Sequence, residues 1–231
     1  MEEISLLVSL FKGKNMIVNT ERKYSPKNLN EFVFPDQGTS ELINAYVSGE
    51  IDRPLLLHGS NGTGKSTLQK FLPDAIEGRP AIVNRILCSE LESPKLIQKA
   101  YQLIQKSFDK SFIVNAQKYN YFIIEEFHLK STKLNDALKL ELDNSLGIDI
   151  TILSTNRFDE VDKGIASRCE VLELKPCTPE IFFNHAKSIF QAEKKDIDDD
   201  KLMSCLEVVY KLHADNRKYY AAMDSLFRKL P

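Results

Sequence analysis

The 231-residue chain has no tryptophan, an absence that carries no functional information. Its shortage of cysteine tells more. Cys88, Cys169, Cys177 and Cys205 stand far apart, without the CxxC spacing of a zinc knuckle or a thioredoxin-type redox site. No stretch approaches the ~18 apolar residues that a membrane-crossing helix needs. The opening MEEISLLVSLFKGK begins on two acids and holds only a short apolar run, which makes a poor signal peptide. Neither sign of charge dominates: 31 basic against 33 acidic side chains leave a net charge of −2. That excludes a histone-like polycation, though not a local groove for nucleic acid. With 9 Gly and 9 Pro and no repeat or low-complexity tract, collagen-like, mucin-like and disordered classes are excluded too. What remains is a globular protein expected in a cytoplasmic, reducing compartment, with one large domain or a medium one plus a small one.

Hydrophobic patterning organises the chain. Residues 38–49 have helical spacing, and PLLLHG at 54–59 reads as a buried strand. Further strands are expected near 81–86, 121–124, 148–153 and 171–174. Helices are expected from Lys65, from Pro94 to Phe108, and over 131–144. Apolar strands without alternation suit a parallel sheet covered on both faces. Strand and helix in alternation predict an α/β fold with a five-stranded, mainly parallel sheet. After Pro176 only helical segments follow, roughly 179–193, 199–212 and 216–229. The expected division is a core over 1–175 and a small helical domain over 176–231. The latter carries nine basic and nine acidic residues, so it is no basic DNA-binding arm.

The chemistry begins at Gly59-Ser60-Asn61-Gly62-Thr63-Gly64-Lys65-Ser66, a full GxxxxGK[ST] match between a strand and a helix, followed by the helix-packing Thr67. Glycines let the backbone wrap phosphates, and successive amides supply positive charge. Lys65 would reach the β and γ phosphates and Ser66 would ligate Mg²⁺. Tyr121-Phe-Ile-Ile-Glu125-Glu126 ends a buried strand in two acids. By position Glu125 holds Mg²⁺ and Glu126 polarises the attacking water. Asn156, closing Ser154-Thr155-Asn156, suits a water- or γ-phosphate-holding amide, with a helix N-cap as the competing role. Arg168 becomes functional if it projects into a neighbour's phosphate site, and Arg217, after Asp215-Asn216, if it points back at nucleotide. His128 has no second His or Cys at ligand spacing and reads as a hydrogen-bonded or exposed histidine.

This order of motifs resembles the AAA+ ATPases, and within them the clamp-loader subunits. KYSPKNLNEFVFP (23–35) is similar to their KYRPxxLxE segment, which implies that Tyr24 and Pro26 lie near the adenine. GSNGTGKST is similar to Walker A, IIEEFH to Walker B and LSTN to sensor 1. IASRC (165–169) is similar to the SRC motif, implying that Arg168 is a trans-acting arginine finger. HADNRKYYAAMDSL (213–226) is similar to sensor 2, implying that Arg217 reports the γ-phosphate. The resemblance implies a P-loop core with a helical lid, ATP and Mg²⁺ as cofactors, and ATP hydrolysis at subunit interfaces of a homo- or hetero-oligomer. It also implies DNA as a partner, with a sliding clamp, a helicase or another replication protein. Lys95, Lys99, Lys106 and Lys110 lie close to one helix face and are candidates for DNA phosphate contacts, with a solvated stripe as the plain alternative.

Three departures stand out. Glu125 stands where the family usually has Asp, and Ser25 where it has Arg. Read as given, the sequence leaves no room after Pro231 for the family's helical collar, so assembly is expected through AAA+ contacts, a partner or DNA. That compactness suggests a viral or mobile replication system. Competing functions are a helicase loader or DNA-bound adaptor, a weakly hydrolysing structural subunit, and a small-molecule kinase, which the SRC segment and lid suit poorly.

Overall fold

The computed structural model describes residues 19–91, 93–102 and 117–229. The expected element at 4–11, together with Lys106 and Lys110, lies outside the described residues. The chain divides into two compact units. One comprises Gln37–Ser60 and Gly64–Leu174, and the other gathers the chain up to Asp36, residues 61–63 and the chain from Lys175 onward.

The first unit is the expected α/β layer. Its strands are β1 (Leu55–His58), β2 (Val83–Leu87), β3 (Asn120–Glu125), β4 (Asp149–Thr155) and β5 (Glu170–Glu173). They pair in the order β2-β3-β4-β1-β5, and every pairing is parallel. The three central strands are apolar because both of their faces are covered. Leu55, Leu56 and Leu57, Tyr121 to Ile124, and Ile150, Ile152 and Leu153 are all buried. Each such aliphatic side chain contributes roughly 1.5–3 kcal/mol by leaving water. The edge strands β2 and β5 keep partly exposed residues. β2 starts two residues later than its apolar run predicts. The Ala81 and Ile82 amides donate instead to the side chains of Asp74 and Gln117, at 2.8 and 2.5 Å.

Residues 20–24 form a short helix, α1 (Thr20–Tyr24), in the second unit. The first unit holds α2 (Gln37–Ser48), α3 (Lys65–Glu77), α4 (residues 94–102), α5 (Thr132–Asn144) and the short α6 (Lys163–Ala166). α3 buries Leu68, Gln69, Phe71, Leu72, Pro73 and Ile76. Its Pro73 has no N–H for the Gln69 carbonyl one turn back.

The second unit contains α7 (Pro179–Ala192), α8 (Asp199–His213) and α9 (Asn216–Phe227) around a core of Phe182, Ile189, Phe190, Leu206, Tyr219 and Met223. Asp198 caps α8, accepting from the amides of Asp200 and Lys201, so the acids of KKDIDDD stand at a helix start as their charge requires. The opening segment packs within this unit. Tyr24 Oη donates to Glu193 Oε1 at 2.6 Å, Thr20 bonds Asp224, and the Cys177 thiol donates to the Val33 carbonyl.

Candidate nucleotide-binding site

Parallel strands place their carboxyl ends along one edge, where α/β sheets bind ligands. Here β1 ends at His58, opposite Thr155 of β4, and β4 runs beside β3 with Leu153 opposite Ile124. The turn after β1 therefore stands in one row with Asn156 and with Glu125 and Glu126. Because β4 lies between β3 and β1, Asn156 emerges between the loop and the acid pair.

The loop after β1 has the backbone its glycines allow. Gly59, Gly62 and Gly64 have φ of 138°, 77° and 100°. A Cβ at Gly59 would lie 2.2 Å from the Leu174 carbonyl oxygen, so no other residue fits that crossing undisturbed. Lys65 Nζ donates to the Gly59 and Ser60 carbonyls at 2.8 and 2.7 Å, which turns its charge back over the loop. Ser66, in the first turn of α3, is exposed and Thr67 is half-buried. His58 stacks on Phe158 with ring centroids 4.1 Å apart. Burial and, to a lesser degree, nearby Lys65 hold its pKa below the usual value, against the opposing charges of Glu173 and Asp159.

The two acids differ in setting. Glu125 is half-buried, and its Oε1 accepts from Gln69 Nε2 at 3.0 Å and from Arg85 Nη1 at 3.3 Å. Glu126 is exposed and left-handed, with φ of 53°, a strained state for a non-glycine residue. Two bonds hold that turn. The Phe127 amide donates to the Ser154 carbonyl at 2.7 Å, and His128 Nδ1 lies 2.7 Å from the Glu126 carbonyl. His128 thus has the hydrogen-bonded role expected of it. Asn156 is exposed, and the turn after β4 is bonded by Thr155, whose Oγ1 accepts from the Arg157 amide at 3.0 Å.

Arg168 lies elsewhere on the sheet. Glu170 pairs with Leu55, the first residue of β1, so Arg168 stands beyond the amino ends of the strands. Roughly 10 Å of strand separates that level from the loop at the carboxyl ends. Its Nε and Nη2 bind Asp143 at 2.8 and 2.9 Å, and Nη1 donates to the Gly164 carbonyl at 2.8 Å.

In the helical unit, Arg217 opens α9. Its amide and guanidinium both bind Asp215, the helix cap, at 2.9 Å from the amide and 2.9 and 3.2 Å from the side chain. Residues 61–63 belong to this unit, and the Asn216 amide donates to the Gly62 carbonyl at 3.2 Å. Asp215 lies so close that a Cβ at Gly62 would fall 1.8 Å from its Oδ1. Tyr24 lines a cavity of about 520 Å³ with Lys23, Ser25, Lys27, Asn30, Glu31 and His185, and half-buried Pro26 follows in sequence.

Among the described residues no cluster of three or more His, Cys, Asp or Glu could hold a metal. The hydroxyl of Ser66 and the carboxylate of Glu125 are oxygen donors of the kind Mg²⁺ prefers, and Mg²⁺ takes most of its ligands from phosphates and water. Sequence reading missed Gln69 and Arg85. The available signal was a glutamine set among the apolar Leu68, Leu72 and Ile76 of a helix.

This arrangement defines a P-loop nucleotide-binding fold. The model of the ATPase family associated with various cellular activities (AAA) matches residues 55–177, just over half of the chain, and the chain belongs to that family. Among curated proteins, 205 residues are 22% identical to DNA polymerase III subunit gamma/tau of Mycoplasma genitalium, covering 81% of this chain and 34% of that one. Replication factor C subunit 4 of Caenorhabditis elegans is 23% identical, over 83% and 58% of the two chains. The sliding-clamp-loader large subunit of Escherichia phage RB69 is 23% identical, over 90% and 64%. The chain thus spans about a third to two thirds of these relatives. A solved RuvB variant of Thermotoga maritima shares the fold, with a TM-score of 0.60 at 18% identity over 87% of this chain and 64% of that one. No helix among the described residues is long and apolar enough to cross a membrane.

Proposed function

We propose that the protein is an ATP-dependent switch of clamp-loader type, acting in the cytoplasm or on the nucleoid in DNA replication or repair and hydrolysing ATP where two subunits meet. One observation carries this reading. The loop, the acid pair and Asn156 share the carboxyl edge of the sheet, while Arg168 stands at the amino edge. A guanidinium so placed serves another subunit's phosphates rather than its own.

Gly59 to Thr67 cradle the triphosphate, with Lys65 at its β and γ groups. Tyr24 and Pro26 belong to the side that receives the base. Ser66 and Glu125 hold Mg²⁺, which supplies positive charge to the phosphoryl oxygens. Glu126 takes a proton from the attacking water, and Asn156 orients that water or the γ-phosphate. Arg217 reports the γ-phosphate once it leaves Asp215. Arg168 of a neighbour neutralises charge on the transferring phosphoryl group. Nucleotide contacts made across an interface then shift the population between assembled and loose states. Exposed Lys95 and Lys99, four apart on α4, suit DNA phosphates. The names of the relatives favour a sliding clamp or another replication protein as partner.

Native mass measured with a non-hydrolysable ATP analogue, with and without primed DNA, tests the reading. Wild type is expected to assemble with nucleotide, and Arg168→Ala to bind nucleotide yet lose the stimulated phosphate release measured when ATP replaces the analogue. A wild type that stays monomeric in every condition refutes self-assembly.

A further inference from the structure

Gln69 is fully buried, yet its Oε1 has no hydrogen-bond partner among the described residues. The orientation of the amide is fixed by chemistry. A carboxylate only accepts, so the amide atom 3.0 Å from Glu125 Oε1 must be the N–H donor. The carbonyl oxygen is then left buried and unpartnered beside Glu125. An orphan of this kind costs about 1–3 kcal/mol, and native proteins keep few of them. The bond from its N–H to Glu125 accounts for one half of the amide, and the carbonyl half stands ready for a donor that arrives with a ligand.

Its position indicates which ligand. Gln69 follows Ser66 by three residues on α3, and side chains at that spacing share a helix face. The amide meets the Glu125 carboxylate, and the Ser66 hydroxyl lies one turn earlier on the same helix face, toward the phosphate loop. Both bonds from Gln69 and Arg85 fall on Glu125 Oε1, which leaves Oε2 for another partner. Glutamate has one more rotatable bond than the family's aspartate, and the Gln69 amide removes that freedom.

We infer that Gln69 is a positioning residue for the divalent cation of the nucleotide site. Its N–H aims Glu125, and its buried carbonyl oxygen accepts a hydrogen bond from a water of the cation's hydration shell. The inference rests on the ATP and Mg²⁺ reading above. Mg²⁺ keeps several waters when bound, and outer-shell partners of this kind typically change metal affinity 10–100-fold.

The test measures binding of a fluorescent, non-hydrolysable ATP analogue while Mg²⁺ is titrated, on wild type and on Gln69→Met, which keeps the shape of the side chain. The half-saturating Mg²⁺ concentration is expected to rise about tenfold in the variant. Affinity in EDTA should be unchanged, and the melting temperature equal or higher because a buried orphan is gone. A purely structural glutamine would lower the melting temperature and leave the Mg²⁺ response alone. Gln69→Leu serves as the second variant should the methionine fail to fold. A variant half-saturation within twofold of a Mg²⁺-responsive wild type overturns the positioning role alone. A wild type that binds no analogue at any Mg²⁺ concentration overturns the nucleotide reading and this inference with it.

Discussion

Replacing Gly59 by alanine tests the loop crossing directly. The backbone there has φ of 138°, where an L side chain is strained by about 1–3 kcal/mol. The new Cβ would meet the Leu174 carbonyl oxygen at 2.2 Å, and ordinary contact requires that carbonyl to retreat by about 1 Å. Leu174 is not free to do so cheaply, because its own amide donates to the His58 carbonyl at 2.7 Å. Weakening that bond costs about 1 kcal/mol more. The sum is about 2–4 kcal/mol, a large part of the roughly 5–15 kcal/mol that holds a domain folded. Gly78 supplies the control. It is also left-handed, with φ of 68° at the end of α3, but nothing lies within 4 Å of its Cβ position. Gly78→Ala should lose only about 1 kcal/mol. Equilibrium urea denaturation at 25 °C measures both variants, with equal slopes required for comparison. If Gly59→Ala loses no more stability than Gly78→Ala, the steric argument is wrong.

Under the proposed function, Glu126→Gln should retain analogue binding and lose about 10²–10⁴-fold in phosphate release, measured at saturating ATP. Asp149 is buried with Oδ2 unpartnered among the described residues, and burial raises its pKa. The folded chain thus holds this proton more tightly than the unfolded one, so stability falls as pH rises through the folded pKa. Asp149→Asn should be more stable by about 1–2 kcal/mol at pH 7 and no less stable at pH 3.5, by denaturant titration. His185, half-buried beside Phe182 and bonded to Tyr220 at 3.0 Å, has a pKa lowered by partial burial despite nearby Glu31. The unfolded chain therefore takes up that proton first, and stability falls as pH drops below about 6.5. Melting curves between pH 7.5 and 5.5 should show a smaller drop in His185→Gln than in wild type.

Patterning alone reads the layers of this fold. Leu55–Leu57 and Tyr121–Ile124 are continuous apolar runs because central parallel strands are covered twice, and α3 begins at the Lys65 of its motif. The acids of the site were legible as chemistry, but their settings were not. The bond from Gln69 to Glu125 spans 56 residues, and no local period encodes it. The left-handed turn at Glu126 is imposed by Phe127 and His128 bonding around it, against the propensity of glutamate. The segment at 23–35 reads as part of the core, yet its partners Glu193 and Cys177 lie some 150 residues downstream in the helical unit. Such pairings are chosen by which exposed groups remain once the local elements form, and that choice is made in three dimensions.

The order of the strands acts as a ruler. With β4 as a spacer, the strand that ends in the phosphate loop and the strand that ends in the acid pair stand two pairing distances apart, about 9–10 Å. Under the proposed reading this gap has room for a phosphoryl group with a water in line. Asn156 grows from the spacer itself and stands inside the gap that it creates. The separation of loop and acids is then a property of the sheet's wiring, set before any side chain reaches toward the substrate.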